Sequence, residues 1–296
     1  MDRQKITPYL WFDKEALEAA ELYTTTFGNS KILSKSSLEN TPSGKVDMAS
    51  ILIEGQEFGM ISAGPLFKIN PSISFMVNCE SIEELDRLWN KLFTGGEALM
   101  ELGKYPFAEK YGWLQDKFGV SWQLIYRGKE KFNQKIVPTL MFVGEVCGKA
   151  REAMSHYAST FPNSTIGDMM TYGAGEEPDK EGTVKHASFS LAGVEFASMD
   201  SAHDHKFGFN EAVSLVVHCE NQAEIDEYWG NLSAVPEAEQ CGWLKDKYGV
   251  SWQIVPNAMD RMMGSGNQSK IAKVTEAFLK MKKFDIAELE RVYNES

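Results

Sequence analysis

The side chains with the widest chemical reach cluster in one stretch of the chain. His186 lies on an expected strand, on the same face as Ser188, and the return strand of the hairpin at Gly193 ends at Asp200. A histidine beside a carboxylate can serve as a general base, because imidazole titrates near neutral pH. The alternative is a lone histidine held by an ordinary hydrogen bond. Asp200, His203, Asp204 and His205 are metal-capable, but a His-x-His in a loop fits a solvated turn equally well. His218 follows a short strand and is expected to be exposed. Cys241 has no neighbouring base to lower its pKa, so it reads as an inert thiol.

Two further groups could recognise a ligand without reacting with it. Gln123 and Gln253 alternate with apolar neighbours on a strand, so each shares a face with Ser121 or Ser251. Each is either a hydrogen-bonding group toward a ligand or a structural amide tying strands together. Trp122 and Trp252 occupy the opposite face, where core packing is expected. Tyr105, Phe107 and Tyr111 could form an aromatic rim over an apolar pocket, or else cover a sheet edge.

The elements that must position these residues are written twice. Residues 111–125, YGWLQDKFGVSWQLI, and 241–255, CGWLKDKYGVSWQIV, share ten of fifteen positions. Pro8–Phe12 pairs with Pro138–Phe142, Val46–Phe58 with Val184–Phe196, and Ser74–Glu80 with Ser214–Glu220. A tandem duplication follows, and it governs the fold. Each copy reads strand-helix-strand-strand-strand, written twice. A helical face spans Leu17 to Phe27, and Ser81-Ile-Glu-Glu84 is a capping box opening a helix through Leu92. Asn40 to Gly44 is turn chemistry between two strands. The second copy lacks about ten residues between Leu232 and Cys241, which removes most of the strand corresponding to Glu97–Leu102. Apolar faces at Val274, Phe278 and Met281, and at Ile286, Leu289 and Val292, give two tail helices expected to pack on a domain or on another chain. The expected domains are 1–132, 133–258 and a helical tail over 259–296.

Composition narrows the function classes. The chain has 296 residues, 43% of them apolar, which suffices for two ordinary cores. A formal net charge of −12 argues against a nucleic-acid partner. No run of eighteen apolar residues occurs, so no membrane-spanning segment is expected. Four cysteines without CxxC spacing suggest reduced thiols and a cytoplasmic location.

The repeated βαβββ pattern, with its Gly-Trp-Leu-x-Asp-x-(Phe/Tyr)-Gly-Val-Ser-Trp-Gln ending, resembles the vicinal oxygen chelate superfamily of glyoxalase I, extradiol dioxygenases and bleomycin-resistance proteins. Within it the chain is similar to the PhnB-like branch named after 3-demethylubiquinone methyltransferase, a likeness shared by the tail from Phe278 to Tyr293. The resemblance implies an α+β fold in which paired βαβββ modules curl mostly antiparallel sheets into cups. Covalent fusion would make the chain an internal pseudo-dimer, as a monomer or a homodimer. Metal-dependent relatives place ligands at four inward positions. By pattern these are Thr7, Ser50, Ser72 and Gln123 in copy one, and Val137, Ser188, Ala212 and Gln253 in copy two. These are neutral or non-ligating groups, so no metal ligand is assigned and no cofactor is expected, although a divalent ion bound by other residues stays open.

No glycine-rich strand-to-helix loop suits S-adenosylmethionine, since Gly173-Ala-Gly175 sits in an acidic loop. The leading expectation is therefore a protein that binds a small organic molecule in a cup through Ser50, Gln123, Tyr105, Phe107, Tyr111, Ser188 and Gln253. The alternatives are a metal-dependent lyase, isomerase or dioxygenase, an acid–base enzyme using His186 and Asp200, and a scaffold with degenerate cups.

Overall fold

A computed structural model describes residues 4–41 and 44–295. Pro42 and Ser43 of the expected turn lie outside the described residues. The first repeat runs β1 (Ile6–Phe12), α1 (Ala16–Thr26), β2 (Ser30–Thr41), β3 (Gly44–Ile53), β4 (Gln56–Ser62), β5 (Ile73–Asn78), α2 (Ile82–Leu92), β6 (Glu97–Tyr105), β7 (Ala108–Gln115) and β8 (Ser121–Tyr126). The second runs β9 (Ile136–Val143), α3 (Ala150–Thr160), β10 (Thr165–Thr171), β11 (Val184–Leu191), β12 (Val194–Ser201), β13 (Val213–Cys219), α4 (Gln222–Leu232), β14 (Trp243–Lys245) and β15 (Ser251–Pro256). The tail carries α5 (Ala258–Met263), α6 (Gln268–Phe278) and α7 (Ile286–Asn294). No helix among the described residues is long and apolar enough to cross a membrane. The chain divides into two compact units, residues 8–213 and residues 1–7 with 214–296.

In the larger unit an eight-stranded sheet has the order β10-β11-β12-β9-β5-β8-β7-β6. The repeats meet at β5 and β9, which pair antiparallel with Met76 opposite Val137 and Ser74 opposite Thr139. Four strands of this sheet therefore come from each repeat. On the helix side, the first repeat packs its two modules through Phe58 on Phe75 at 5.1 Å and Tyr23 on Trp122 at 5.2 Å. The helix α2 starts as its capping box dictates: the Ser81 hydroxyl accepts the Glu84 N–H at 3.1 Å. The Glu84 carboxylate reaches one residue further back than the usual pattern and accepts the Glu80 N–H at 2.7 Å.

The repeated motif resolves into one hydrogen-bonded knot. Asp116 Oδ1 accepts the N–H groups of Phe118 at 2.9 Å and Val120 at 3.1 Å, closing the turn between β7 and β8. Its Oδ2 accepts the Trp122 indole N–H at 2.9 Å and the Tyr23 hydroxyl at 2.7 Å. The turn passes through Gly119 at φ +85°, a left-handed conformation that glycine adopts without strain. The second repeat rebuilds the turn. Asp246 accepts from the Tyr248 and Val250 N–H groups at 2.8 and 3.0 Å and from the Trp252 indole at 2.9 Å.

The smaller unit shows what became of the missing strand. Only a short 3-10 turn, Pro236–Ala238, separates α4 from the residues before β14. The tail takes over the edge that β6 covers in the first repeat: the carbonyls of Met281 and Lys282 accept the N–H groups of Cys241 and Gly242 at 2.8 and 2.7 Å. A side chain at Gly242 would collide with the Phe284 ring at 2.5 Å, as one at Gly112 would collide with Trp89 at 2.4 Å. Phe284 is buried, and its carbonyl accepts the Gln222 amide N–H of α4 at 3.1 Å. The tail thus packs on the second repeat of its own chain.

Two stability effects follow. Asp116→Asn presents an N–H donor to the Trp122 indole or to the turn amides, leaving a buried group unpaired; it is expected to cost about 1–3 kcal/mol in urea titrations. Phe284→Ala opens a cavity under the tail and is expected to cost about 3–5 kcal/mol in the same measurement.

Candidate functional site

The open face of the eight-stranded sheet carries a cavity of about 480 Å³ lined by both repeats, from Met76, Ile125 and Arg127 to Val137, His186 and Ala197. At its base lie Met76, Ile125, Val137 and Ala197, which belong to a buried apolar cluster that also holds Ala108 and Tyr111. Strand alternation explains the division: Ile125 and Arg127 line the cavity, while Trp122 and Leu124 point into the core.

The three aromatic residues converge on one another at the β6–β7 hairpin on the sheet edge, outside the lining of the cavity. Tyr105, Phe107 and Tyr111 touch one another pairwise, with ring centroids 5.1–5.5 Å apart. Tyr111 is buried, Phe107 is exposed, and the Tyr105 hydroxyl donates to the Glu101 carbonyl at 2.9 Å. Burial and the neighbouring Tyr105 raise the Tyr111 pKa, so its phenol stays a proton donor. That proton goes to Gln123 Oε1 at 2.8 Å, and the Gln123 amide N–H₂ donates to Ser74 Oγ at 2.6 Å. Gln253 repeats the second bond, donating to Ser214 Oγ at 2.9 Å. Ser74 on β5 is therefore the partner of the Gln123 amide.

Grouping by copy also does not describe the sheet. Gln123 of the first repeat shares the eight-stranded sheet with Val137 and Ser188 of the second, and Ser188 lines the cavity. Ser50 lies instead on β3, where its hydroxyl donates to Glu57 Oε1 at 2.8 Å.

His186 and Asp200 do not meet. The Asp200 carboxylate accepts the N–H groups of Gly148 at 2.7 Å and Ala150 at 3.1 Å at the start of α3, and of Val184 at 2.9 Å. Burial raises its pKa against those three bonds. The His186 ring lines the cavity instead, and its buried Nε2 has no hydrogen-bond partner among the described residues. Burial first, and then the Arg127 charge, hold the ring below its ordinary pKa.

The loop histidines are spoken for: His205 Nε2 pairs with Ser201 Oγ at 2.9 Å, and His203 lies 3.7 Å from Asp179. Among the described residues no group of three or more His, Cys, Asp or Glu side chains is arranged to hold a metal ion. His218 is buried, against expectation, because Thr7 Oγ1 meets its ring at 3.1 Å. Burial pushes the thiols of Cys79 and Cys219 up to about 12 and raises that of Cys241.

Sequence reasoning missed Arg127. It stands just past the end of the repeated motif, with its guanidinium donating to Asn78 Oδ1 at 3.0 Å and toward the Met76 sulfur at 3.8 Å. The available signal was a difference: the second repeat has Asn257 in its place, and the first has Met48 in place of His186.

The profile of the family described as 3-demethylubiquinone-9 3-methyltransferase matches residues 4–125 and again residues 134–255. The chain belongs to that family. One repeat corresponds to a whole relative: protein YjdN of Escherichia coli is 28% identical over 136 residues, covering 40% of this chain and 92% of that protein. A solved Bacillus cereus PhnB protein, described as a putative 3-demethylubiquinone-9 3-methyltransferase, is 44% identical over 42% of this chain and 99% of its own, with a TM-score of 0.40. Glyoxalase I from Zea mays spans the duplication, covering 89% of this chain and 98% of its own at 11% identity and a TM-score of 0.58. The fold is that of the vicinal oxygen chelate superfamily.

The depressed pKa of His186 has a definite sign in solution. Its unfolded value is near 6.5, so an unfolded chain takes up the proton first as pH falls. Stability is expected to drop on acidification through about pH 6.5, and His186→Asn should flatten that part of the pH–stability curve measured by urea unfolding.

Proposed function

We propose that the cavity of the eight-stranded sheet binds a small organic molecule and does so without a tightly bound metal. The observation that carries the reading is a cavity of about 480 Å³ that joins an apolar base (Met76, Ile125, Val137, Ala197) to a polar wall with Arg127, His186 and Ser188, a concave surface suited to a small molecule with an apolar and a polar part. Tyr111 shares the apolar cluster with that base, and Tyr105 and Phe107 pack on Tyr111 outside the cavity lining. Ser188 stands at the opposite wall as a hydroxyl partner.

The donor chemistry argues against a chelated ion at the positions used by metal-dependent relatives. Val137 has no donor atom, Ser188 offers a neutral hydroxyl, and both ends of the Gln123 amide are already engaged. The family description names a methyltransferase, yet Gly173 and Gly175 lie in the loop between β10 and β11, and a strand follows that loop. A pyrophosphate or nucleoside cradle needs a helix N-terminus there. This supports a binding protein over an S-adenosylmethionine-dependent enzyme.

The test is a thermal-shift screen of small organic compounds on protein stripped with chelator, followed by calorimetry on the hits. A ligand at a hundred times its Kd stabilises by about 2.7 kcal/mol, a readily measured rise in Tm. Hits that persist in EDTA and vanish in Ser188→Trp, whose side chain fills the cavity, are the expected result, with no shift from S-adenosylmethionine. Hits that appear only with added zinc, manganese, nickel or iron would reinstate a metal-dependent activity. A screen with no hits at all would favour a scaffold.

A further inference from the structure

Resting on the reading of this cavity as a ligand site, we propose that its ligand is an organic anion, a carboxylate or phosphate group on a small apolar body, with the anionic group held between Arg127 of the first repeat and His186 of the second. Both side chains line the same cavity, one at the end of β8 and the other on β11.

The case begins with an unbalanced cation. The Arg127 side chain is 31% exposed, and its hydrogen-bonding partners are neutral: the Asn78 amide oxygen and the Met76 sulfur. A guanidinium carries five N–H donors in a planar fork that suits a carboxylate or phosphate edge. Glu130 is the nearest carboxylate, but it stands 3.8 Å from Nε, beyond hydrogen-bond reach, and its side chain is 65% exposed. An ion pair that open to water is screened and weak. Two further acids line the cavity: Asp168 is exposed on β10, and Glu195 accepts the Asn133 amide at 3.1 Å. Lys131 adds a second positive charge to the cavity wall.

The second observation is independent of the first. His186 Nε2 is buried in the cavity wall without a partner, and a buried polar nitrogen left unpaired costs free energy that a ligand oxygen would recover. Burial first, and the Arg127 charge second, lower the pKa of the ring. An anion entering between them meets a cation and a ring nitrogen that can carry a proton.

The third observation is internal to the sequence. The repeats keep their structural residues in step: Asp116 and Asp246, Trp122 and Trp252, Gln123 and Gln253. At Arg127 the other repeat has Asn257, and at His186 it has Met48. The charged pair is therefore no part of the framework that the two repeats share.

The experiment compares four probes of similar size by calorimetry in EDTA: benzoate, phenyl phosphate, benzyl alcohol and benzylamine. The variants are Arg127→Gln, Arg127→Lys and His186→Gln, each checked for an unchanged far-UV spectrum and cooperative unfolding. At least one of the two anions is expected to bind ten-fold or more tightly than the alcohol, with benzylamine weakest. Whichever of benzoate and phenyl phosphate binds better identifies the anionic group. Arg127→Gln should cost that anion at least ten-fold while changing benzyl alcohol less than two-fold; Arg127→Lys should retain part of the preference, and His186→Gln should lose a smaller factor. Equal binding of anions and alcohol, or an anion affinity untouched by Arg127→Gln, overturns the anion assignment and leaves the cavity as a neutral-ligand site. Absence of binding by every probe at 10-millimolar order, with no competition against any hit from the thermal screen, overturns both readings.

Discussion

The carboxylate of Asp116 is the constraint on which the first repeat depends. It is buried with four donors aimed at its two oxygens, two from its own turn, one from a core tryptophan and one from Tyr23 on a helix of the other module. Burial pushes its pKa up while the four bonds pull it down, and the net direction is upward. No neutral side chain of that size accepts four hydrogen bonds with two oxygens, so the position tolerates little substitution. The knot sets where β8 begins, and thereby which residues of β8 reach the open face. Ile125 and Arg127 line the cavity because Trp122 is anchored on the other side.

Most polar groups under the cavity are spent on one another. Gln123 joins β8 to β7 through Tyr111 and to β5 through Ser74, bracing the three strands that form half of the floor. A similar economy operates at the far end of the chain, where tail carbonyls satisfy the backbone N–H groups that a lost strand would have left bare. Above the apolar base stand the Arg127 guanidinium, the His186 ring, Lys131, the acids Glu130, Asp168 and Glu195, and several hydroxyls.

Much of this was legible in the sequence, and the failures have physical causes. The repeat, the order of elements, the capping box at Ser81 and the tail helices follow from local pattern and internal comparison. The role of Asp116 did not, because its donor on α1 lies 93 residues away and nothing local points to it. His218 was misjudged for the same reason, its partner Thr7 standing 211 residues earlier. The expected contact of His186 with Asp200 failed on strand geometry: Ala187 pairs with Ser198, so Asp200, two residues on, falls on the opposite sheet face from His186 and is drawn to the N–H groups at the start of α3. The mutual contact of Tyr105, Phe107 and Tyr111 was legible because three aromatics within seven residues can reach one another across a hairpin.

The pairing of β5 with β9 means that the bowl is written half in one repeat and half in the other. In a chain with a single copy, a mutation at either wall would be inherited by every bowl that its assembly could form. Duplication lifts that restriction. Here one wall could acquire an arginine and the facing wall a histidine while the matching positions drifted to Asn257 and Met48. The linker between Tyr126 and Ile136 is thus a licence for asymmetry: it lets natural selection edit one binding surface without rewriting its twin.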